Sequence, residues 1–236
     1  MKVGHNIKAE NAGWTFGGEV PDTFVDHIKQ SVPLYVEGHA QVVNFSDFFV
    51  SNTSVVYELG VSTGELLHKL ASHHQAKPGA RWIGLDVEEP MVKKARLHCK
   101  DDANVEILHE DARLFPLEKA DLIVSYLTMQ FVPPRDRQQL FDKIYEALNW
   151  GGAFIMFEKV RAPDARFQDM VSILYNDFKL AQGFSTEEIV MKTRSLKGVQ
   201  EPFSTEANRE MLSRAGFVDQ MSIQPYLCFE GFLAIK

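Results

Sequence analysis

Three carboxylates and one glycine turn stand where a nucleoside joined to an amino acid could be held. The turn is Glu58-Leu59-Gly60-Val61-Ser62-Thr63-Gly64. Gly60 permits a tight reversal, and Gly64 lets the next helix pack close to a ligand. Ser62 stands where Gly-x-Gly-x-x-Gly has its second glycine, so the close backbone approach that a pyrophosphate needs is missing. An amino acid plus a nucleoside makes no such demand. Glu58 can accept from an ammonium group or from bound water. Asp86, with Val87 beside it, lies 26 residues beyond Gly60 and can take both ribose hydroxyls. At Asp111-Ala112 a carboxylate can accept the exocyclic amine of adenine while the next N–H donates to a ring nitrogen. Tyr126, with Thr128, Met129, Gln130 and Phe131, falls where the reacting centre belongs.

Each feature also has a plainer explanation. The heptapeptide can be an ordinary strand-to-helix turn, Asp86 a helix cap, Asp111 a loop acid, and the Met and Phe core residues. Gly60-Val61-Ser62-Thr63-Gly64 nominally matches the hydrolase elbow Gly-x-Ser-x-Gly. That reading is poor, because no histidine follows near the C-terminus to complete a triad. No Walker phosphate loop is present, and no metal site is expected. His68 with His73 and His74 is the closest approach to zinc spacing, and it is weak.

The elements that must position these groups alternate between strand and helix. Val55 to Leu59, Arg81 to Asp86, Val105 to Leu108, Ala120 to Tyr126 and Ala153 to Phe157 read as buried strands. Helices are expected from Gly64 to His73, from Pro90 to about Cys99, and from Arg135 to Leu148. Residues 164–200 are largely helical, broken at Gly183-Phe184-Ser185. A helix from Thr205 to Ala215 follows, capped by Ser204 and ended by Gly216. Phe217 to Gln224 and Cys228 to Lys236 should form a hairpin that turns near Pro225-Tyr226. The fold class is therefore α/β: a Rossmann-like, seven-stranded, mainly parallel sheet with an antiparallel C-terminal hairpin and helices on both faces. The expected organisation is one domain, with a helical N-terminal cover (1–50), a cofactor-binding core (54–160), a helical lid (164–200) and a C-terminal helix and hairpin (204–236).

Composition narrows the function. A net charge of −7 argues against nucleic acid as a direct ligand. Two distant cysteines fit a reducing, cytoplasmic setting, and no segment has the length or apolarity to span a membrane.

Beyond these patterns, the chain resembles the carboxy-S-adenosylmethionine synthases of tRNA wobble-uridine modification, within the class I S-adenosylmethionine-dependent methyltransferase superfamily. The likeness runs from about Trp14 to the C-terminus. It is carried by Trp14-x-Phe16, Ser31-Val32-Pro33-Leu34-Tyr35, Glu58 to Gly64 and Thr128-Met129-Gln130-Phe131. Further matches are Leu148-Asn149-Trp150-Gly151-Gly152, Glu158-Lys159 and Asn176-Asp177-Phe178-Lys179. The resemblance implies a homodimer whose cofactor site is lined by Tyr35, Gly60, Val61, Ser62, Asp86, Asp111 and Ala112. It also implies attachment of a carboxylate, taken from prephenate, to the cofactor's methyl group. Two positions depart from it. Tyr126 replaces an asparagine, and Thr193 stands where an arginine grips the added carboxylate. A threonine cannot replace that charge. Arg194 is adjacent, but one position on a helix is a turn of about 100°.

The expected function is methyl transfer from S-adenosyl-L-methionine to a small-molecule acceptor. Tyr126 and Arg194 are the candidate catalytic residues, and Glu158 and Tyr175 are further candidate bases. Arg194 and Lys159 can recognise an acidic group on the acceptor. The rival readings are carboxy-S-adenosylmethionine synthesis and a non-catalytic cofactor-binding scaffold.

Overall fold

The computed structural model describes residues 11–14 and 20–236, with side chains in the first helix described from residue 23. The first ten residues and Phe16 lie outside the described residues. Helices α1 (Val20–Ser31) and α2 (Tyr35–Ser46) precede the sheet. Strands β1 (Val55–Leu59), β2 (Arg81–Asp86), β3 (Val105–His109), β4 (Ala120–Tyr126) and β5 (Leu148–Lys159) alternate with α3 (Glu65–His73), α4 (Glu89–His98) and α5 (Pro134–Ala147). Helices α6 (Ala165–Ala181), α7 (Thr186–Leu196) and α8 (Thr205–Ala215) lead to β6 (Asp219–Tyr226) and β7 (Phe229–Ile235).

The seven strands lie in the order β3-β2-β1-β4-β5-β7-β6. All neighbours through β5 pair parallel, and β7 pairs antiparallel with both β5 and β6. The strand order reverses between β1 and β4, which places a ligand crevice beyond the carboxyl ends of those two strands. Alternate strand residues feed two cores. Val56, Trp82 and Val124 pack with Leu66, Leu70 and Ala95 on one face. Tyr57, Ile83 and Ile123 pack with Phe141, Ile144 and Leu212 on the other. Coverage of both faces is why β1 and β4 read as continuous apolar runs rather than alternating ones.

Helix ends follow local chemistry. Asp164 accepts from the Phe167 N–H, and Ser185 with Glu188 forms a full capping box. Ser204 caps α8, which ends on Gly216 at φ 117°.

Two differences from the expected boundaries matter most. Strand β5 begins at Leu148 rather than Ala153. Leu148 pairs with Ala120, while the Gly151 N–H donates to Lys236 O and the Lys236 N–H to Gly152 O. The ladder therefore runs through the glycine pair that reads as a helix stop. The last hairpin turns at Leu227-Cys228, because Tyr226 already pairs with Phe229. Pro225 is tolerated inside β6 because that strand is at the sheet edge and its register is broken between Ile223 and Tyr226.

Candidate active site

A cavity of about 710 Å³ opens at the switch point between β1 and β4, within the size range of small-ligand sites. Residues from α1, α2, the turns after β1 to β4, α6 and α7 line it. Every cofactor residue expected from sequence faces this cavity except Gly64.

The glycine turn is held by its own backbone. The N–H groups of Gly60 and Val61 donate to Leu85 O, and that of Gly64 donates to Val61 O. Gly60 sits at φ 78°, and a Cβ there would collide with Thr128, so this position needs glycine twice over. Ser62 is also left-handed, at φ 51°. Gly64 has a different role from the one expected. It lies at the start of α3 with Ala95 of α4 and Cys99, the residue that follows α4, against it, so its small size serves helix–helix packing rather than ligand approach.

Asp86 ties β2 to this turn. Its Oδ2 accepts the Ser62 N–H at 2.8 Å and its Oδ1 the Glu88 N–H at 2.9 Å. Burial pushes its carboxyl up, and these backbone donors oppose that push. Each oxygen keeps a second lone pair for a ligand. Asp86 thus supports the turn as well as facing the cavity, while the cap position of α4 is Glu88.

Glu58 is fully buried at the end of β1, and its Oε2 has no hydrogen-bond partner. Burial drives its carboxyl well above the usual range, with Asp86 adding to the effect. A buried acceptor without a donor costs about 1–3 kcal/mol, which a bound ammonium would recover. Asp111, by contrast, is already engaged. Arg113 donates to it through Nε at 3.0 Å and Nη2 at 2.6 Å, and reaches Asp136 through Nη1 at 2.8 Å. That guanidinium holds the Asp111 carboxyl below its ordinary range. Sequence reasoning missed Arg113, although the spacing Asp111-x-Arg113 is its signal.

Tyr35, His39 and Tyr126 form an aromatic wall. The His39 ring lies 4.4 Å from Tyr35 and 4.5 Å from Tyr126, centroid to centroid. The Tyr126 hydroxyl donates to Tyr35 O at 3.1 Å, a contact possible only because Gly38 has no side chain there. Burial raises the Tyr126 phenol, which makes it a poor base at neutral pH. His39 was not a sequence candidate. Its pKa is lowered to about 3, by burial first and then by Lys69, whose Nζ is 3.2 Å from His39 Nδ1.

Glu158 does not face the cavity. It lies under the loop after β4, accepting the Met129 N–H at 2.9 Å and the Gln130 N–H at 2.8 Å. Its carboxyl is pushed up to about 8 by burial. The Tyr175 hydroxyl donates to Ser31 O at 2.7 Å.

The lid side of the cavity carries three lysines. Lys159 and Lys179 place their Nζ atoms 4.6 and 4.4 Å from the Tyr175 ring centroid, with Lys192 facing the same space from α7. Burial lowers all three, Lys179 to about 8, and Lys159 and Lys179 act further on Lys192. Only Lys159 was a candidate for acid recognition from sequence, because the other two come from helices whose facing could not be read. Thr193 lines the cavity, with its hydroxyl donating to Ile189 O of its own helix at 2.9 Å. Arg194 is exposed and is not among the lining residues.

This strand order and strand-end cavity are those of the Rossmann-like methyltransferase fold. Residues 56–152 match the family model described as a methyltransferase domain. The chain belongs to the carboxy-S-adenosyl-L-methionine synthase family. A Staphylococcus epidermidis protein of that name is 35% identical over 224 residues, covering 94% of this chain and 97% of the relative. One from Histophilus somni is 37% identical over 228 residues, covering 94% and 93%. In fold the chain is similar to human N-acetylserotonin methyltransferase, solved in complex with SAM, with a TM-score of 0.63 at 18% identity, covering 94% of this chain and 57% of that one. A possible exported protein from Bordetella parapertussis gives a TM-score of 0.65 at 19% identity, covering 96% and 76%.

Proposed function

We propose that the chain transfers the methyl group of S-adenosyl-L-methionine to a small, anionic acceptor. The observation that carries this reading is the lid side of the cavity, where three lysines face inward and Thr193 supplies no charge. Ordinary S-adenosylmethionine needs no cation beside its methyl group, which leaves the lysines to an acid on the acceptor.

The residues present fit the cofactor. Asp86 receives the ribose hydroxyls, Glu58 Oε2 receives the ammonium, and the Asp111-Ala112 turn faces the adenine, with Arg113 as a competing donor to Asp111. Tyr35, Val61, Ser62 and Val87 complete the lining. The bound sulfonium supplies an activated methyl carbon. The protein supplies alignment and exclusion of water, which can contribute much of the rate. Tyr126 acts by shape rather than as a base, since its proton is held at Tyr35 O. Glu158 sets the loop that carries Thr128 and Met129.

Carboxy-S-adenosylmethionine synthesis is the second reading. It draws on the names of the relatives and on the same lysines, which can hold a carboxylate. Mass spectrometry of the ligand released from freshly purified protein separates the two. S-adenosylmethionine or its demethylated product supports methyl transfer, and carboxylated cofactor overturns it.

Three further proposals concern organisation. Helices α6 and α7 act as a lid over one continuous domain. The exposed residues Phe167, Met170, Ile173 and Leu174 give α6 an apolar stripe that suits a homodimer contact. A cytoplasmic setting is supported by the two cysteines, both free and buried. Among the described residues, no helix is long and apolar enough to cross a membrane.

A further inference from the structure

Outside the cavity lining, Asp47, His73 and His74 come together. Asp47 is the residue that ends α2, His73 is the last residue of α3, and His74 caps that helix. None of the three lines the cavity. Helix α3 starts at the carboxyl end of β1 and runs back, so its end falls near the opposite edge of the sheet.

We propose that Asp47, His73 and His74 form a binding site for one divalent transition-metal ion of the zinc class. One carboxylate oxygen and one ring nitrogen from each histidine lie within 4.8 Å of one another. His73 Nε2 is 2.8 Å from Asp47 Oδ1, and His74 Nε2 is 3.9 Å from the same oxygen. Tetrahedral ligands at the zinc bond length of about 2.0–2.1 Å stand about 3.3 Å apart. The two observed distances fall on either side of that value, so modest side-chain rotation closes the triangle.

The donor set suits this class of ion. Two imidazoles and one carboxylate favour zinc and its neighbours over calcium or magnesium, which take oxygen ligands. The His74 ring is fixed in place, stacked on Trp82 at 5.6 Å with an interplanar angle of 18°. Its Nε2 is 2.7 Å from Ser46 Oγ, whose own proton goes to Val43 O. Without metal, then, His74 Nε2 carries the hydrogen. Coordination moves that proton to Nδ1 and gives up the Ser46 contact.

One nearby charge works against a bound cation. Lys77 is the opposing cation, with its Nζ donating to Val50 O at 2.7 Å. The histidine pair His68 and His98 lies elsewhere, with His68 bonded to Asp102 and His98 facing Glu65. It is the natural competitor for added metal.

The test is equilibrium dialysis of the full chain against zinc chloride with elemental analysis, repeated with cobalt(II) to read coordination by visible absorption. The expected result is one ion per chain and tetrahedral cobalt bands. His73→Ala and Asp47→Asn, both at solvent-accessible positions, should lower zinc affinity by roughly tenfold or more. Affinity for S-adenosylmethionine should not change in either variant. Absence of stoichiometric uptake by the wild type overturns the proposal. So does wild-type affinity in either variant, which would place the ion elsewhere.

Discussion

Asp86 Oδ2 accepts the Ser62 N–H at 2.8 Å, so the acid at the end of β2 also sets the shape of the turn after β1. The two strands are neighbours in the sheet, with Leu59 opposite Leu85. Asp86→Ala should therefore lose a ligand contact and loosen the turn together. A hydrogen bond to a charged group contributes about 1.5–3 kcal/mol, so affinity for S-adenosylmethionine should fall by about 10- to 100-fold. Calorimetry reads this directly, and unchanged affinity would remove Asp86 from the site.

Gly60→Ala places a side chain at φ 78° and against Thr128. Strain and crowding each cost on the order of 1–3 kcal/mol. Thermal unfolding should show a Tm lower by several degrees. An unchanged Tm would mean that the turn relaxes freely.

Glu158 links stability to pH. Its folded pKa of about 8 lies above the ordinary carboxylate value of 4.5. Between these values the native state binds more protons than the unfolded state, so stability falls as pH rises from about 4.5 towards about 8. Glu158→Gln removes that titration. Its denaturation midpoint should fall less steeply over this window than that of the wild type, and parallel profiles would count against the assignment.

Thr193→Arg places a guanidinium at a position that lines the cavity. It should raise affinity for carboxylated cofactor by about 10- to 100-fold, with little effect on S-adenosylmethionine. Wild-type protein that already prefers the carboxylated form would argue for the synthase reading.

The stripe on α6 gives a test of assembly. Met170→Glu and Ile173→Glu put charge on exposed apolar positions, 54% and 61% accessible. Light scattering should show a dimer in the wild type and a monomer in the double variant. A monomeric wild type sinks the homodimer proposal.

By itself the sequence determined the sheet, the crevice and the cofactor. β1, β2 and β4 have the bounds their apolar runs predict, because burial on both faces leaves a strong local signal. That the turn residues and Asp86 line the crevice was legible because strand ends fix where the crevice lies. Only tertiary structure decided what each group does there. Gly64 packs against α4, Arg113 engages Asp111, and Glu158 supports a loop from outside the cavity. His39, Lys179 and Lys192 enter from helices outside the core, while Arg194 turns away from the lining. His73 meets Asp47 across 26 residues of chain, with His74 beside it. Such pairings depend on helix facing and on contacts distant in sequence, and local spacing carries no record of either.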